Sequence, residues 1–413
     1  MINLNKIITT ELLNEYEGSE KKKTVIINNE QYLLKLPDPT REKHNSLVYI
    51  NNAISEYIGC KIFSLLGVPV QEVILGTYTD PETHKEKIAC ACKDVRAATE
   101  VMTSFEAIGK GVYTDDTDKA KEASFGLMRE LASKIDIETQ IIVDRYCEMF
   151  VADALIGNTD RHNGNWAVLR DKTNHKYRLS PVYDCGSSMA PLLSDERILK
   201  ESELKNLIHN TRSAIVDSSG VLIHYRDFLE KTNDTDVINA LFKIFPKIDM
   251  PAIKDLIYGI DCLSDERKSF YWALIQGKYT EVLLPAVRVH AEISQELIDD
   301  QKASLDITGT KALLNNVVLF LKGLPLYTRG SIAETGKKTE VSFVKTSGNT
   351  VCLHSDNRVF VSRVKNDYAD VYYLSAVLSK LGLTIDKENA MFIKPYLGEG
   401  HTPDLDVSKG LPD

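Results

Sequence analysis

Three oxygen-bearing side chains, Asp160, Asn165 and Asp184, have the types and the spacing that one kind of chemistry requires. Asp160 and Asn165 lie five positions apart in the segment GNTDRHNGN (157–165), between a predicted helix and a predicted strand. An aspartate that faces a hydroxyl group can accept its proton, and an asparagine one short loop away can offer a neutral oxygen to a metal ion. Phosphoryl transfer needs both contributions, because the nucleophile must be oriented and the phosphate charge must be neutralised by magnesium.

Asp184 adds a charged oxygen after a predicted β-hairpin. It lies 19 residues after Asn165, and the intervening sequence predicts strands at 165–170 and 176–182 with a turn between them. A hairpin returns the chain to its starting point, so both side chains can reach one cation. Because magnesium favours hard oxygen donors and few protein ligands, we predict a magnesium site made by Asn165 and Asp184.

The secondary-structure elements that must position these residues are predicted to form two parts of the chain with different structure. In the first, strands flank an Asn28-Asn29 turn at 24–36, a helix follows at about 46–66, a strand pair is predicted at 68–78, and a last strand lies at 87–95. This order predicts a small antiparallel sheet with one packed helix. From about residue 96 the pattern is mostly helical, with helices predicted at 119–134, 139–156, 196–209, 234–244, 251–260, 264–276 and 279–300.

The last part of the chain differs from both halves. Residues 340–364 are rich in strand-forming residues around a Ser347-Gly348-Asn349 turn, and a helix is predicted at about 368–381. We therefore predict an α+β accessory module at 304–413, whose role the sequence does not indicate. The predicted domains are 1–95, 96–303 and 304–413.

Composition and charge narrow the class of protein. Of the 413 residues, 43% are hydrophobic and 26% are charged, as in a soluble globular protein of two or three units. The net charge of -9 argues against nucleic-acid binding by the protein on its own. The sequence shows no membrane span and no signal-peptide core, and its seven cysteines form no C-x-x-C pair. We therefore predict a cytoplasmic protein.

The segment 157–165, followed by SPVYDCGSS (180–188), resembles the catalytic and metal-binding segments of HipA-type serine/threonine kinases. The strand YLLKLP at 32–37 is similar to the HipA strand that ends in an ATP-contacting lysine, and 56–70 resembles the helix and strand that follow it. Asp184-Cys185-Gly186 stands where protein kinases carry D-F-G. The resemblance covers about residues 12–300. It implies an α+β, bilobal protein-kinase-like fold with a small β-rich N-lobe and a mostly helical C-lobe.

The same resemblance implies a role for each matching residue. Asp160 would be the catalytic base, Asn165 and Asp184 the Mg²⁺ ligands, and Lys35 the side chain that holds the α- and β-phosphates of ATP. His162 would brace the catalytic loop by hydrogen bonds. Arg161 would either do likewise or face solvent, and the sequence does not decide between these two roles.

The sequence allows two interpretations for each of two further parts of the site. Glu56, on the helix after Lys35, would form the lysine–glutamate pair of kinases or remain an exposed helical glutamate. The segment with Gly18, Ser19 and Lys21, between a predicted N-terminal helix and the first strand, resembles the HipA phosphate loop but also fits an exposed turn. Well-studied HipA toxins are autophosphorylated on a serine just before this loop, where this chain has Glu15.

The resemblance implies an ATP- and Mg²⁺-dependent serine/threonine kinase that acts on a protein substrate, with an antitoxin partner if it is a toxin. Two alternatives stay open. Phosphatidylinositol 3/4-kinases share the D-R-H-x-x-N loop, which allows a lipid or small-molecule kinase, although the negative net charge disfavours membrane approach. The second alternative is a non-catalytic pseudokinase that binds or regulates a partner. The joint presence of Lys35, Asp160, Asn165 and Asp184 argues against this alternative.

Overall fold

The computed structural model describes residues 1–12, 22–37, 51–81, 83–114 and 122–291, and four strands between residues 327 and 362. The chain divides into two compact units. One consists of Met1–Lys231 and Met250–Leu283, and the other consists of Thr232–Asp249 and Leu284–Asp413. The domain boundaries predicted at residues 95 and 303 stay predictions.

The first unit begins with a six-stranded sheet of order β1-β5-β6-β4-β3-β2, antiparallel except where β1 pairs with β5. The described strands are β1 (Ile2–Asn3), β2 (Ile8–Leu12), β3 (Lys22–Ile27), β4 (Glu30–Lys35), β5 (Val73–Thr79) and β6 (Glu86–Lys93). The predicted hairpin at 24–36 is confirmed. Asn28 and Asn29 both have positive φ, at 51° and 63°, which is the geometry of a two-residue hairpin turn.

Two predictions for this sheet were wrong. The expected N-terminal α-helix is absent from the described residues, where β1, a single 3-10 turn (Leu4–Lys6) and β2 stand instead, and Leu4, Ile7 and Ile8 pack against the core of the sheet. The expected strand pair at 68–78 is the single strand β5. The residues before it leave the sheet, and Val70 forms an isolated bridge with Val182.

The α-helices among the described residues are α1 (Asn52–Leu65), α2 (Phe105–Val112), α3 (Phe125–Ala132), α4 (Thr139–Ile156), α5 (Asp195–Ile198), α6 (Glu201–Asn210), α7 (Tyr225–Lys231), α8 (Thr235–Ile244), α9 (Met250–Tyr258), α10 (Asp265–Lys278) and α11 (Leu284–Ala291). Helix α1 packs on the sheet and is buried along most of its length. A π-helical turn at Tyr279–Leu283 interrupts the helix predicted from 279 to 300, of which 292–300 lie outside the described residues. No described helix has the length and apolarity to cross a bilayer.

Helix α4 is the central helix of the first unit. Nearly every residue from Ile142 to Ile156 is buried, so its sequence is apolar on all sides rather than on one face. It ends as predicted at Gly157, whose φ of 63° lies in the left-handed region that favours glycine. The end of this helix fixes where the catalytic loop begins.

Small sheets complete the first unit. Strands β7 (Glu100–Ser104), β8 (Ala167–Asp171) and β9 (Tyr177–Leu179) form an antiparallel sheet, and β10 (Arg212–Val216) pairs with β11 (Leu222–His224). The β8–β9 hairpin confirms the two strands predicted between Asn165 and Asp184. Sequence reasoning missed β7, β10 and β11, because each is too short to show a clear alternation.

The second unit contains α8, α11 and a four-stranded antiparallel sheet. Its strands follow chain order and are β12 (Tyr327–Thr335), β13 (Lys338–Lys345), β14 (Thr350–His354) and β15 (Val359–Ser362). The strand-rich character predicted for 340–364 is confirmed. The predicted turn at 347–349 and the helix at 368–381 lie outside the described residues.

Candidate active site

The catalytic loop is fixed to the end of α4 by a buried polar network around Asp153. This carboxylate is fully buried and accepts hydrogen bonds from Arg161 Nε at 2.9 Å and Asn158 Nδ2 at 2.9 Å. Asn158 Oδ1 accepts a hydrogen bond from the backbone N–H of Asp160 at 3.1 Å, and Tyr225 Oη donates to the Asn158 carbonyl at 2.7 Å. The loop backbone is therefore held from both sides, which fixes the position of Asp160.

Arg161 joins the catalytic loop to the loop that carries Asp184. Its guanidinium donates to the carbonyl oxygens of Asn165, at 2.9 Å, and of Tyr183, and also contacts Cys185 Sγ at 3.6 Å. The residue is 1% exposed, so the solvent-facing alternative is excluded. Burial opposes its charge, but Asp153 and Cys185 outweigh that effect and raise the pKa of Arg161 well above its usual value.

Asp160 and Asn165 are the two residues of this loop that are predicted to act on the substrate and the metal ion. The Asp160 side chain is half exposed, while Asn165 is buried and donates its amide Nδ2 to the Asp160 carbonyl at 2.7 Å. The amide oxygen of Asn165 is therefore the atom that this side chain can offer to a cation. His162 Nδ1 accepts a hydrogen bond from the Gly164 N–H at 2.9 Å, and its Nε2 lies 3.8 Å from Asp160 Oδ1. That contact suits a residue that braces the loop.

Lys35, Glu56 and Asp184 meet at one point, although they lie on a strand, a helix and a loop. The Lys35 ammonium donates to Glu56 Oε2 at 2.8 Å and to Asp184 Oδ1 at 2.7 Å. Glu56 is fully buried, so it is not the exposed helical glutamate that the sequence also allowed. Burial tends to raise the pKa of Asp184, but the charge and hydrogen bond of Lys35 outweigh it and lower that pKa to about 2. Asp184 is therefore ionised at neutral pH.

Gly186 allows Glu56 to approach this point. A Cβ at Gly186 would lie 3.2 Å from Glu56 Oε2 and 3.6 Å from the carbonyl oxygen of Asn52, which leaves little room for a side chain. The Asp184 backbone has a φ of 59°, which is uncommon for a residue other than glycine and aims its carboxylate at Lys35. In the Asp184-Cys185-Gly186 segment, the backbone conformation of Asp184 and the missing side chain of Gly186 therefore both allow the contact among Asp184, Lys35 and Glu56.

The donor set fits magnesium. One ionised carboxylate, Asp184, and one amide oxygen, Asn165, come from loops that Arg161 holds together, and Mg²⁺ usually takes its remaining ligands from phosphates and water. The part of the chain that the structure describes holds no cluster of three or more His, Cys, Asp or Glu side chains of the kind that binds zinc.

Lys22 is a residue near the site that sequence reasoning missed. It pairs with Lys35 across strands β3 and β4, and its charge contributes to the low pKa of Asp184. The sequence signal was present in the Lys21-Lys22-Lys23 cluster, which is more often a solvated turn. Gly18, Ser19 and Lys21, predicted to contact phosphates, lie outside the described residues.

We expect Glu56→Gln to raise the KM for ATP about tenfold, because a charged hydrogen bond in a buried site contributes on the order of 1.5–3 kcal/mol. The glutamine can still offer one neutral amide oxygen to the Lys35 ammonium but lacks the negative charge. The matched control is Glu201→Gln, which removes an exposed ion pair with Lys205 on α6. Unchanged ATP affinity in Glu56→Gln would remove this residue from the site.

The strand lysine Lys35, the helix glutamate Glu56 and the two loops that carry Asp160 and Asp184 have the arrangement expected of a kinase-like fold. A family model described as the HipA-like C-terminal domain matches residues 15–237, which is more than half of the chain. The chain belongs to this HipA-like family.

The relative CtkA agrees with this assignment. The chain is 33% identical over 268 residues to the serine/threonine-protein kinase CtkA of Helicobacter pylori, covering 63% of this chain and 80% of that protein. The crystal structure of CtkA, described as a proinflammatory kinase, matches with a TM-score of 0.59 and 31% identity, over 65% of this chain and 94% of that chain. HipA of Shewanella oneidensis MR-1, solved with HipB and operator DNA, has a TM-score of 0.42 and 17% identity, over 67% of this chain and 66% of that chain. Homology to CtkA supports a HipA-like kinase.

Proposed function

We propose that the protein is a kinase that uses ATP and Mg²⁺ to phosphorylate serine or threonine residues of a protein substrate. The observation that carries the proposal is the Lys35 ammonium, which contacts both Glu56 and Asp184. A lysine so placed is oriented to bind the α- and β-phosphates, while Asp184 stays ionised for the metal. A buried lysine between two carboxylates would have little use in a module that binds no nucleotide.

Each remaining residue has a task in this proposal. Asp160 orients the acceptor hydroxyl and takes its proton, and His162 holds the loop in shape. Asn165 and Asp184 hold the metal, which supplies positive charge beside the transferred phosphoryl group when it is bound. Gly18, Ser19 and Lys21 are assigned to phosphate binding by the sequence resemblance alone.

The cellular setting is part of the same proposal. The protein acts in the cytoplasm, and its partner is an antitoxin if it is a toxin. The antitoxin partner is implied by the sequence resemblance to HipA toxins, whereas the cytoplasmic location is the prediction made from the sequence itself. Cell fractionation tests the location. Isolation of the protein from its own cells, followed by identification of what binds it, tests the partner.

The function is tested by incubating the protein with Mg²⁺, a cell extract and ATP that is labelled on its γ-phosphate. We expect the wild-type protein to label proteins and Asp184→Asn to label none, because the variant lacks the ionised metal ligand. Asp144→Asn is the matched control, since Asp144 is an exposed residue of α4 whose carboxylate accepts a hydrogen bond from Gln140 Nε2 at 2.7 Å. Labelling of lipid vesicles but not proteins would favour a lipid kinase, and no labelling of either would favour a pseudokinase.

A further inference from the structure

A cavity of about 280 Å³ lies beside the catalytic loop. Its walls come from the start of α1, from the catalytic and Asp184 loops, and from α6 and α10. Thr159, which precedes Asp160, and Ser187, which follows the Asp184-Cys185-Gly186 segment, both line it. The volume is several times that of a water molecule, so the cavity has room for a side chain.

Both polar and apolar residues line the cavity, and one of them is a buried lysine. Leu193, Leu207 and Leu274 line it, together with Lys278, the last residue of α10. Lys278 is 1% exposed and donates one hydrogen bond, to the Ile208 carbonyl at 2.9 Å. Among the described residues no carboxylate pairs with this ammonium. Arg197, also in the lining, is paired with Glu203 at 2.7 Å.

A buried ammonium without a counter-charge is unfavourable for the fold. An ammonium can donate three hydrogen bonds, and one bond to a backbone carbonyl does not compensate for the loss of its hydration. The desolvation lowers the pKa of Lys278 to about 7. A perturbed cation in a cleft next to reacting groups is typical of a functional site. An anionic group entering the cavity would supply the missing charge, while the leucines would enclose its methylene groups.

We propose that this cavity binds an acidic side chain of the protein substrate, close in sequence to the phosphorylated hydroxyl. The inference rests on the proposed kinase function and names the substrate class of the same site. Thr159 is the immediate neighbour of Asp160, and an extended chain advances only about 3.3–3.6 Å per residue, so an acidic residue within three positions of the acceptor can reach the cavity. Lys278 is then a specificity-determining residue rather than a catalytic one.

The experiment uses the full-length protein and a dephosphorylated cell extract with ATP and Mg²⁺, followed by mass-spectrometric mapping of every new phosphorylation site. We expect mapped sites to carry Asp or Glu within three positions. For a substrate identified in this way, replacing that acid by its amide should raise the KM about tenfold with little change in kcat. Lys278→Met should raise the KM for the acidic substrate to the same extent and show no preference between the acid and its amide.

The controls separate specificity from folding. Methionine has a similar length and removes a desolvated charge, so Lys278→Met should unfold at a temperature no lower than the wild-type protein. Lys205→Met, at an exposed position of α6, should keep the preference for acidic sites. Sites without nearby acids, or a preference that Lys278→Met retains, would overturn the cavity assignment alone. A wild-type protein that phosphorylates nothing would instead overturn the kinase function.

Discussion

Asp160→Asn should lower the rate of phosphoryl transfer by about 100- to 10,000-fold, the usual contribution of a general base. The asparagine is nearly isosteric but cannot take the proton of the acceptor hydroxyl. The side chain is half exposed and lies 3.8 Å from His162 Nε2, a contact that the asparagine can keep, and the Asp160 backbone N–H and carbonyl also hold the loop. The substitution should therefore leave the fold and ATP affinity close to those of the wild-type protein.

The measurement is single-turnover transfer of labelled phosphate at saturating ATP, with ATP binding measured separately. This design distinguishes Asp160→Asn from Glu56→Gln, which should act mainly on ATP affinity. Asp144→Asn again serves as the exposed control. If Asp160→Asn labels the extract as well as the wild-type protein does, this residue is not the base and the assignment of the catalytic loop fails.

Asp153→Ala should have the largest effect on stability, lowering the free energy of unfolding of the first unit by about 3–5 kcal/mol. Asp153 and Arg161 are 0% and 1% exposed and joined at 2.9 Å. Removal of the carboxylate leaves the guanidinium as a buried charge that neither solvent nor a counter-ion can compensate. It also removes the acceptor of the Asn158 side chain, so the catalytic loop loses two of its attachments.

Chemical denaturation followed by circular dichroism measures this loss. The informative comparison is the double variant Asp153→Leu with Arg161→Met, because replacing both members of a buried ion pair by apolar side chains avoids the isolated charge. We expect this double variant to unfold at a higher denaturant concentration than Asp153→Ala while remaining inactive, since the Asn165 and Tyr183 carbonyls lose their donor. A midpoint for Asp153→Ala equal to that of the wild-type protein would show that the pair does not stabilise the fold.

The sequence by itself determined the local parts of this protein. The end of α4 at Gly157, the β3–β4 turn at Asn28-Asn29 and the β8–β9 hairpin all depend on neighbouring residues, through left-handed conformations and strand alternation. The same local signals, with their motif spacing, led to the HipA-like family that the comparisons support. Short strands such as β7 and β10 were missed because a few residues do not show a clear alternation of apolar and polar side chains.

Only the tertiary structure decided which distant residues meet. Lys35 and Asp184 are 149 positions apart, and no pattern within either segment indicates that β4 and a loop beyond α4 face the same point. Burial decided between the two roles of Arg161 and between those of Glu56, because exposure depends on what the rest of the chain packs against each side chain. Lys278 appeared in the sequence as one more lysine near a helix end, and its place beside the catalytic loop follows from the packing of α6 and α10.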